Sequence, residues 1–196
     1  MRLIIDDTTK NLSRPTVQQV LNEVQHSLPS GRFYSHLVAD GEAVYENEEK
    51  YLQDHLVNIH ELKIMTQTVH EMVAGSLKLA TGYLNRAVPQ LPELADRFYQ
   101  NPGPDDWKTF SDLLGGIEWL DETLTLIARV RTGSRRDVLQ RSLNAIRQQV
   151  KNMDEALKAS DSTLTADILQ YEIQPLFIDL RNQIKQDAAE SEAASS

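Results

Sequence analysis

The chain has 196 residues, no cysteine and a formal net charge of −9, with 40% hydrophobic and 25% charged residues. The acidic excess argues against nucleic acid as a partner, because phosphate binding depends on Lys and Arg. The lack of cysteine excludes disulfides, thiolate nucleophiles and thiolate metal sites. No signal peptide and no bilayer-spanning run is recognisable, so we expect a cytoplasmic protein that does not bind membranes.

The first third of the chain predicts a small unit of mixed α and β structure. Thr16 and Gln19 have the spacing of a capping box, which predicts the start of a helix. Asp40-Gly41 is typical of a tight hairpin turn, because glycine tolerates the positive φ that such turns need. The predicted elements are a strand at 1–6, a helix at 17–28, strands at 33–39 and 43–45, a charged loop at 46–50, a short helical or irregular segment at 51–59 and a strand at 61–67.

The strand at 33–39 has a simple predicted alternation. Phe33, Leu37 and Ala39 fall on one side of an extended chain, whereas Tyr34 and Val38 fall on the other. We therefore expect Phe33 to share a face with Leu37 and Ala39.

The joint between the two halves of the chain lies at Thr68. Leu62 and Ile64 alternate with polar neighbours, as in a half-buried strand. Thr68 and Glu71 then have capping-box spacing, and from Val69 onward the apolar period is helical. The sequence therefore predicts a strand that passes directly into a helix.

The rest of the chain predicts helices joined by short connections. The run Asn101-Pro-Gly-Pro104 is the clearest loop, and the short breaks at Gly133 and Ser160 favour antiparallel neighbours. Pro175 lies inside the last helical pattern and should kink or interrupt it. The predicted helices cover 69–87, 91–99, 106–131, 139–157 and 164–184.

The order of the predicted N-terminal strands and helices is similar to that of a known family of domains. With the stretches F-Y-S-H-L-V-A-D-G-E-A-V and E-L-K-I-M, residues 1–67 resemble ubiquitin-like β-grasp domains. Asp7 to Ser13 contain little strand-forming sequence, so the second strand of such a domain should be truncated or missing. No Gly-Gly follows the closing strand, so the resemblance does not imply conjugation or sulfur-carrier chemistry.

The predicted fold class is α+β. A β-grasp-like domain at 1–67 is followed by an antiparallel four- or five-helix bundle at 68–186. A disordered acidic tail is expected at 187–196, which carries no large apolar side chain. The whole arrangement is similar to uncharacterised small bacterial proteins, and this similarity implies no mechanism.

No catalytic residue, cofactor site or metal site is predicted. His55, His60 and His70 lie near acidic residues, but their spacing matches no metal motif. No nucleophile motif and no glycine-rich phosphate loop follows any predicted strand. Five arginines surround one predicted turn and form either a solvated group or a contact for an anionic partner: Arg129, Arg131, Arg135, Arg136 and Arg141.

The helix predicted at 106–131 is apolar on two sides. Its main stripe includes Leu113 and Leu120, whereas Trp119, Leu126 and Val130 form a second strip, beside Gly115. We expect burial of this strip inside the protein, because Gly115 would let another backbone approach closely. The alternative is a groove or interface, between the two domains or with a partner, that seats the β-rich half of the chain, a second copy or a partner's helix.

The sequence favours a non-enzymatic protein-interaction module, an adaptor or a chaperone-like protein, that binds a partner or self-associates. The alternative is an enzyme or small-molecule-binding protein with a pocket at the junction of the two domains. An exposed apolar surface would favour the first function, and convergent buried polar residues at that junction would favour the second.

Overall fold

The computed structural model describes the backbone of residues 1–193 and the side chains of residues 1–187. It contains a five-stranded mixed sheet followed, within the described residues, by six helices. Two compact units divide the chain, Met1–Val73 and Ala74–Ser196.

The N-terminal unit contains all five strands and two helices. In chain order these are β1 (Arg2–Ile5), β2 (Thr8–Asn11), α1 (Val17–Ser27), β3 (Arg32–Ala39), β4 (Glu42–Val44), α2 (Glu48–His55), a 3₁₀ turn (Leu56–Asn58) and β5 (Glu61–Thr68). The strands lie in the order β2-β1-β5-β3-β4, and β1 and β5 are parallel, whereas the other neighbours are antiparallel. This arrangement is consistent with a β-grasp-like start.

The core of this unit lies on one face of the sheet. Leu3, Leu62 and Ile64 are buried there, as the alternation along their strands predicts. Val20 of α1 and Leu52 of α2 belong to the same buried cluster. At the start of α1, Thr16 and Gln19 form the predicted capping box.

The start of α2 and the faces of β3 differ from the sequence expectations, and the structure shows whether a second strand is present. The predicted loop at 46–50 is wrong from Glu48 onward, because α2 begins there, where acidic residues in the first turn suit a helix N-terminus. The predicted face of Phe33 is also wrong: a bulge between Tyr34 and His36 shifts the alternation. Tyr34 therefore packs against the core, whereas Phe33 is exposed. The second strand is present, but β2 has only four residues, all of them exposed.

The helical part follows β5 without a loop. Its elements are α3 (Val69–Ala87), a 3₁₀ turn (Val88–Gln90), α4 (Leu91–Tyr99), α5 (Pro104–Val130), α6 (Gly133–Lys158), α7 (Ser162–Asp167), a π-helical segment (Ile168–Ile173) and α8 (Gln174–Ala193). None of the helices in the described part is long and apolar enough to cross a bilayer. The largest fully buried side chains here include Phe98, Leu124, Met153, Leu169 and Phe177.

The last helix is interrupted as predicted, but it extends further toward the C-terminus than predicted. Pro175 lies just after the π-helical segment, so the predicted interruption is present. The tail expected to be disordered from residue 187 continues as helix to Ala193, because its Ala and Glu residues suit a helix. Asp187 is also held by an ion pair with Arg131. Residues 194–196 of the predicted tail lie outside the described residues.

Candidate functional site

Helix α5 carries two distinct apolar faces. Seven residues of one face are buried: Phe110, Leu113, Ile117, Leu120, Leu124, Ile127 and Ala128. At about 100° per residue, Trp119, Leu126 and Val130 lie within about 40° of each other and far around the helix from that face. These three residues and Gly115 are called the α5 strip below.

The α5 strip is exposed. Trp119 is 38% exposed, Leu126 59% and Val130 49%. The other helices of the C-terminal unit therefore do not bury the strip, and its burial against the β-rich half of the chain stays a prediction. One edge of the Trp119 ring is supported by Tyr83 of α3, with the ring centroids 6.0 Å apart. The indole is thus held in place while much of its surface stays accessible.

Two adjacent glycines on α5 have different surroundings. A Cβ placed on Gly116 would overlap the ring of Tyr83, whereas a Cβ on Gly115 would meet nothing within 4 Å. The Tyr83 hydroxyl donates to the carbonyl oxygen of Leu113 at 3.4 Å, and burial raises the pKa of Tyr83 to about 12. We expected another backbone to approach α5 closely at Gly115. The close approach is instead at Gly116, and the group that approaches is the Tyr83 side chain.

Charged residues flank the α5 strip with opposite signs at its two ends. Asp112 precedes its N-terminal end, Glu122 lies beside its middle, and Arg129 lies near its C-terminal end. All three side chains are exposed, and none of them takes part in an ion pair among the described residues. The strip is therefore bordered by exposed charged side chains of both signs.

A separate cavity of about 270 Å³ lies within the helical part. Its lining comes from α3, α6, α8 and the residues before α6: Leu77, Arg131, Ser134, Arg135, Val138, Leu139, Gln183, Ile184, Gln186 and Asp187. The Asp187 carboxylate lies 2.9 Å from Nη2 of Arg131 and 3.1 Å from Nε of Arg135. The cavity thus has apolar walls and one charged side.

The structure brings together only part of the predicted arginine group. Arg131 and Arg135 meet at Asp187, whereas Arg129, Arg136 and Arg141 are exposed. Sequence reasoning missed Asp187 because it lies about 50 residues further along the chain, in the stretch expected to be disordered. No local spacing signal connects it to the arginines.

The three histidines considered as metal ligands have separate surroundings. His55 contacts the Tyr51 ring, and His60 lies 3.7 Å from Asp40. His70 is exposed in the first turn of α3. Over the described residues, no group of three or more His, Cys, Asp or Glu side chains could hold a metal ion.

The carboxylates with shifted pKa values include several that cap backbone groups. Backbone N–H groups of Glu61 and His60 hold the pKa of Asp40 below its usual range. The pKa of Glu71 is lowered mainly by the backbone N–H of Thr68. These shifts have a local structural cause, so they do not mark Asp40 or Glu71 as catalytic.

The chain is thus a two-unit protein in which a mixed sheet precedes a helical region that carries an exposed apolar strip. Residues 76–183 match the family described as Domain of unknown function (DUF8042). This match covers more than half of the chain, so the chain belongs to that family. The matched region contains all of α5. No curated protein and no solved structure matches the chain.

Proposed function

We propose that this chain is a non-enzymatic protein-interaction module, an adaptor or a chaperone-like protein, that binds through the α5 strip. The observation that carries the proposal is the joint exposure of Trp119, Leu126 and Val130 on one side of α5. Contiguous exposed apolar side chains bordered by polar residues are typical of protein-binding surfaces. The net charge of −9 favours a protein over a nucleic acid as partner, and the proposed location is the cytoplasm.

The composition of the strip suits binding. Fully burying an aliphatic or aromatic side chain contributes about 1.5–3 kcal/mol, and tryptophan is enriched among the residues that dominate binding energy. Tyr83 supports one edge of Trp119, so less side-chain freedom is lost when a partner covers the indole. Trp119 is therefore the central contact of the proposed surface.

The proposal includes a finer description of the two parts. The N-terminal part, residues 1–67, is a ubiquitin-like β-grasp domain, which the strand order β2-β1-β5-β3-β4 supports. Residues 68–186 form an antiparallel bundle, which the short connections between α5 and α6 and between α6 and α7 support. In this arrangement the rigid helices present the α5 strip.

Site-specific photo-crosslinking tests the proposal. A photoreactive amino acid replaces Leu126 in the strip, and a matched variant carries it at Tyr171, another exposed apolar residue that lies outside α5. We expect discrete protein adducts from the Leu126 position and none of the same mass from the Tyr171 position. Identical adducts at both positions, or none at Leu126, would contradict the proposal.

A small-molecule-binding protein or an enzyme is the alternative, and the cavity beside Arg131, Arg135 and Asp187 favours it. Its volume of about 270 Å³ lies just below the usual range for ligand pockets, about 300–1,000 Å³. A thermal-shift screen of small metabolites tests this function, with Val138→Phe as the variant that fills the cavity. A compound that raises the Tm of the wild type and not of the variant would support it.

A further inference from the structure

We propose that the cavity beside Arg131, Arg135 and Asp187 binds a small aliphatic carboxylate, with its charged end on the arginines and its chain against the apolar walls. None of the residues that line this cavity belongs to the α5 strip. The inference therefore goes beyond the proposed function and does not rest on it. It gives a ligand class to the cavity that the alternative function uses.

The lining of the cavity changes from apolar to charged. Leu77, Leu139 and Ile184 are buried, so the walls that they form lie in the interior of the helical part. On the charged side, Arg131 is partly buried, whereas the Arg135 side chain is 42% exposed. A ligand that matches this lining has an apolar body and one polar end that stays close to water.

The charged side carries more positive than negative charge. The ionisable side chains of the lining are Arg131, Arg135 and Asp187, which are two cations and one anion. The N–H donors of two guanidinium groups outnumber the hydrogen bonds that one carboxylate can accept. A ligand carboxylate can therefore share the arginines with Asp187, and its single negative charge balances the charge of this lining.

The neutral polar groups of the lining also favour an anion. Oε1 of Gln183 accepts the Ser142 hydroxyl at 2.9 Å, and the NH₂ group of the same amide remains as a donor. Ser134 adds a hydroxyl from the first turn of α6, which is the positive end of that helix dipole. These groups can donate to a carboxylate, whereas a cationic ligand would meet two guanidinium groups.

The size of the cavity limits the length of the ligand. At about 30 Å³ for each water-sized group, a volume of about 270 Å³ holds on the order of nine non-hydrogen atoms. Hexanoate fits within this limit, and a long-chain fatty acid does not. An anion without an aliphatic chain, such as inorganic phosphate, would leave the apolar walls uncovered. Hexanoate is therefore the probe that matches both the charge and the volume.

Isothermal titration calorimetry of the full chain with hexanoate tests this inference. We expect saturable binding with a Kd below about 1 mM, which is within reach of a ligand of this size. 1-Hexanol carries the chain without the charge, and inorganic phosphate carries the charge without the chain. Each should bind at least about tenfold more weakly than hexanoate. Equal binding of either compound, or no saturable heat with hexanoate up to about 10 mM, would overturn the inference.

Substitutions assign the binding to the cavity. Arg131→Gln removes one of the two cations and should weaken hexanoate binding about tenfold or more. Val138→Phe fills the cavity and should abolish the binding. The matched control is Arg141→Gln, at an exposed arginine of α6 outside the lining, which should bind as the wild type does. Circular dichroism spectra check folding, and unchanged affinity in both Arg131→Gln and Val138→Phe would overturn the inference.

Asp187→Asn separates a ligand site from an ion pair that only fastens α8. The asparagine amide has nearly the same shape as the carboxylate but no charge, so it competes less for the arginines. Hexanoate should therefore bind several-fold more tightly to this variant than to the wild type. If the arginines only fasten α8, the substitution would lower the Tm and would leave hexanoate binding absent or weaker, which would count against the site.

The two proposals fail separately. Leu126 does not line the cavity, so absent hexanoate binding would reject the carboxylate site and leave the Leu126 adducts and the proposed function in place. Hexanoate binding without any Leu126 adduct would reject the α5 strip and support the carboxylate site.

Discussion

Thr68 and Glu71 cap each other at the point where β5 becomes α3. The Glu71 carboxylate accepts the backbone N–H of Thr68 at 2.7 Å and the Thr68 hydroxyl at 3.0 Å. In return, the backbone N–H of Glu71 donates to Oγ1 of Thr68 at 3.1 Å. Thr68 is the last residue of β5 and α3 begins at Val69, so no loop lies between strand and helix. This reciprocal cap ends the extended chain and starts the helix.

The first prediction concerns this cap. Thr68→Ala removes the hydroxyl that accepts the Glu71 N–H, so we expect a loss of about 1 kcal/mol in the free energy of unfolding. Thr68→Ser keeps the hydroxyl and is the matched control. Urea denaturation measures both variants, and equal stability of Thr68→Ala and the wild type would contradict the assigned cap.

The second prediction concerns acid stability. The pKa of Glu71 is lower in the folded chain than its usual value of 4.5, so the folded state binds fewer protons than the unfolded state. The stabilisation from this group is complete above about pH 4.5 and is lost as the pH falls through the lower, folded-state pKa.

Glu71→Gln should therefore reduce the pH dependence of stability below about pH 4.5, because the group no longer titrates. Glu46→Gln, at an exposed position before α2, serves as the control. Urea melts at several pH values between about 3 and 7 measure the difference. The same slope in Glu71→Gln and the wild type would show that this carboxylate does not couple folding to pH.

The third prediction compares the adjacent glycines of α5. Gly115→Ala should raise the free energy of unfolding by about 1 kcal/mol, because alanine favours the helix and its Cβ meets nothing within 4 Å. Gly116→Ala gains the same propensity but overlaps the Tyr83 ring, which is a strain of about 1–3 kcal/mol. We therefore expect Gly116→Ala to be the less stable of the two. Thermal melts at low protein concentration compare the variants, and the reverse order would refute the Tyr83 packing.

The fourth prediction compares two leucines on opposite faces of the same helix. Leu124 is fully buried, so Leu124→Ala should cost about 2–5 kcal/mol of stability. Leu126→Ala should change the stability of the dilute chain by less than about 0.5 kcal/mol, because that side chain is 59% exposed. Urea denaturation at a concentration where the chain is monomeric measures both. A large loss in Leu126→Ala would mean that the strip is part of the core.

Features governed by nearby residues were predictable from the sequence. The capping boxes at Thr16 and Thr68 depend on contacts three residues apart, and both are present. The interruption near Pro175 has a similarly local cause. The faces of α5 also follow from helical periodicity, which places the buried Leu120 and the exposed Leu126 on different sides of the helix.

Features governed by distant residues required the tertiary structure. The bulge in β3 depends on pairing with β5, and it turned Phe33 outward and Tyr34 inward. The close packing against α5 occurs at Gly116 and not at Gly115, because the Tyr83 ring of another helix lies against Gly116. The contact of Arg131 with Asp187 joins residues more than 50 positions apart.

The sequence by itself determined most of the strands and helices, the caps at Thr16 and Thr68 and the second apolar strip on α5, because those features depend on neighbours within a turn or two of the chain. Only the tertiary structure decided which of those apolar side chains are covered. Burial depends on what packs against a face, and no other described helix of the C-terminal unit fully covers Trp119, Leu126 and Val130. Periodicity alone could place this strip on the helix, but it could not tell core from surface.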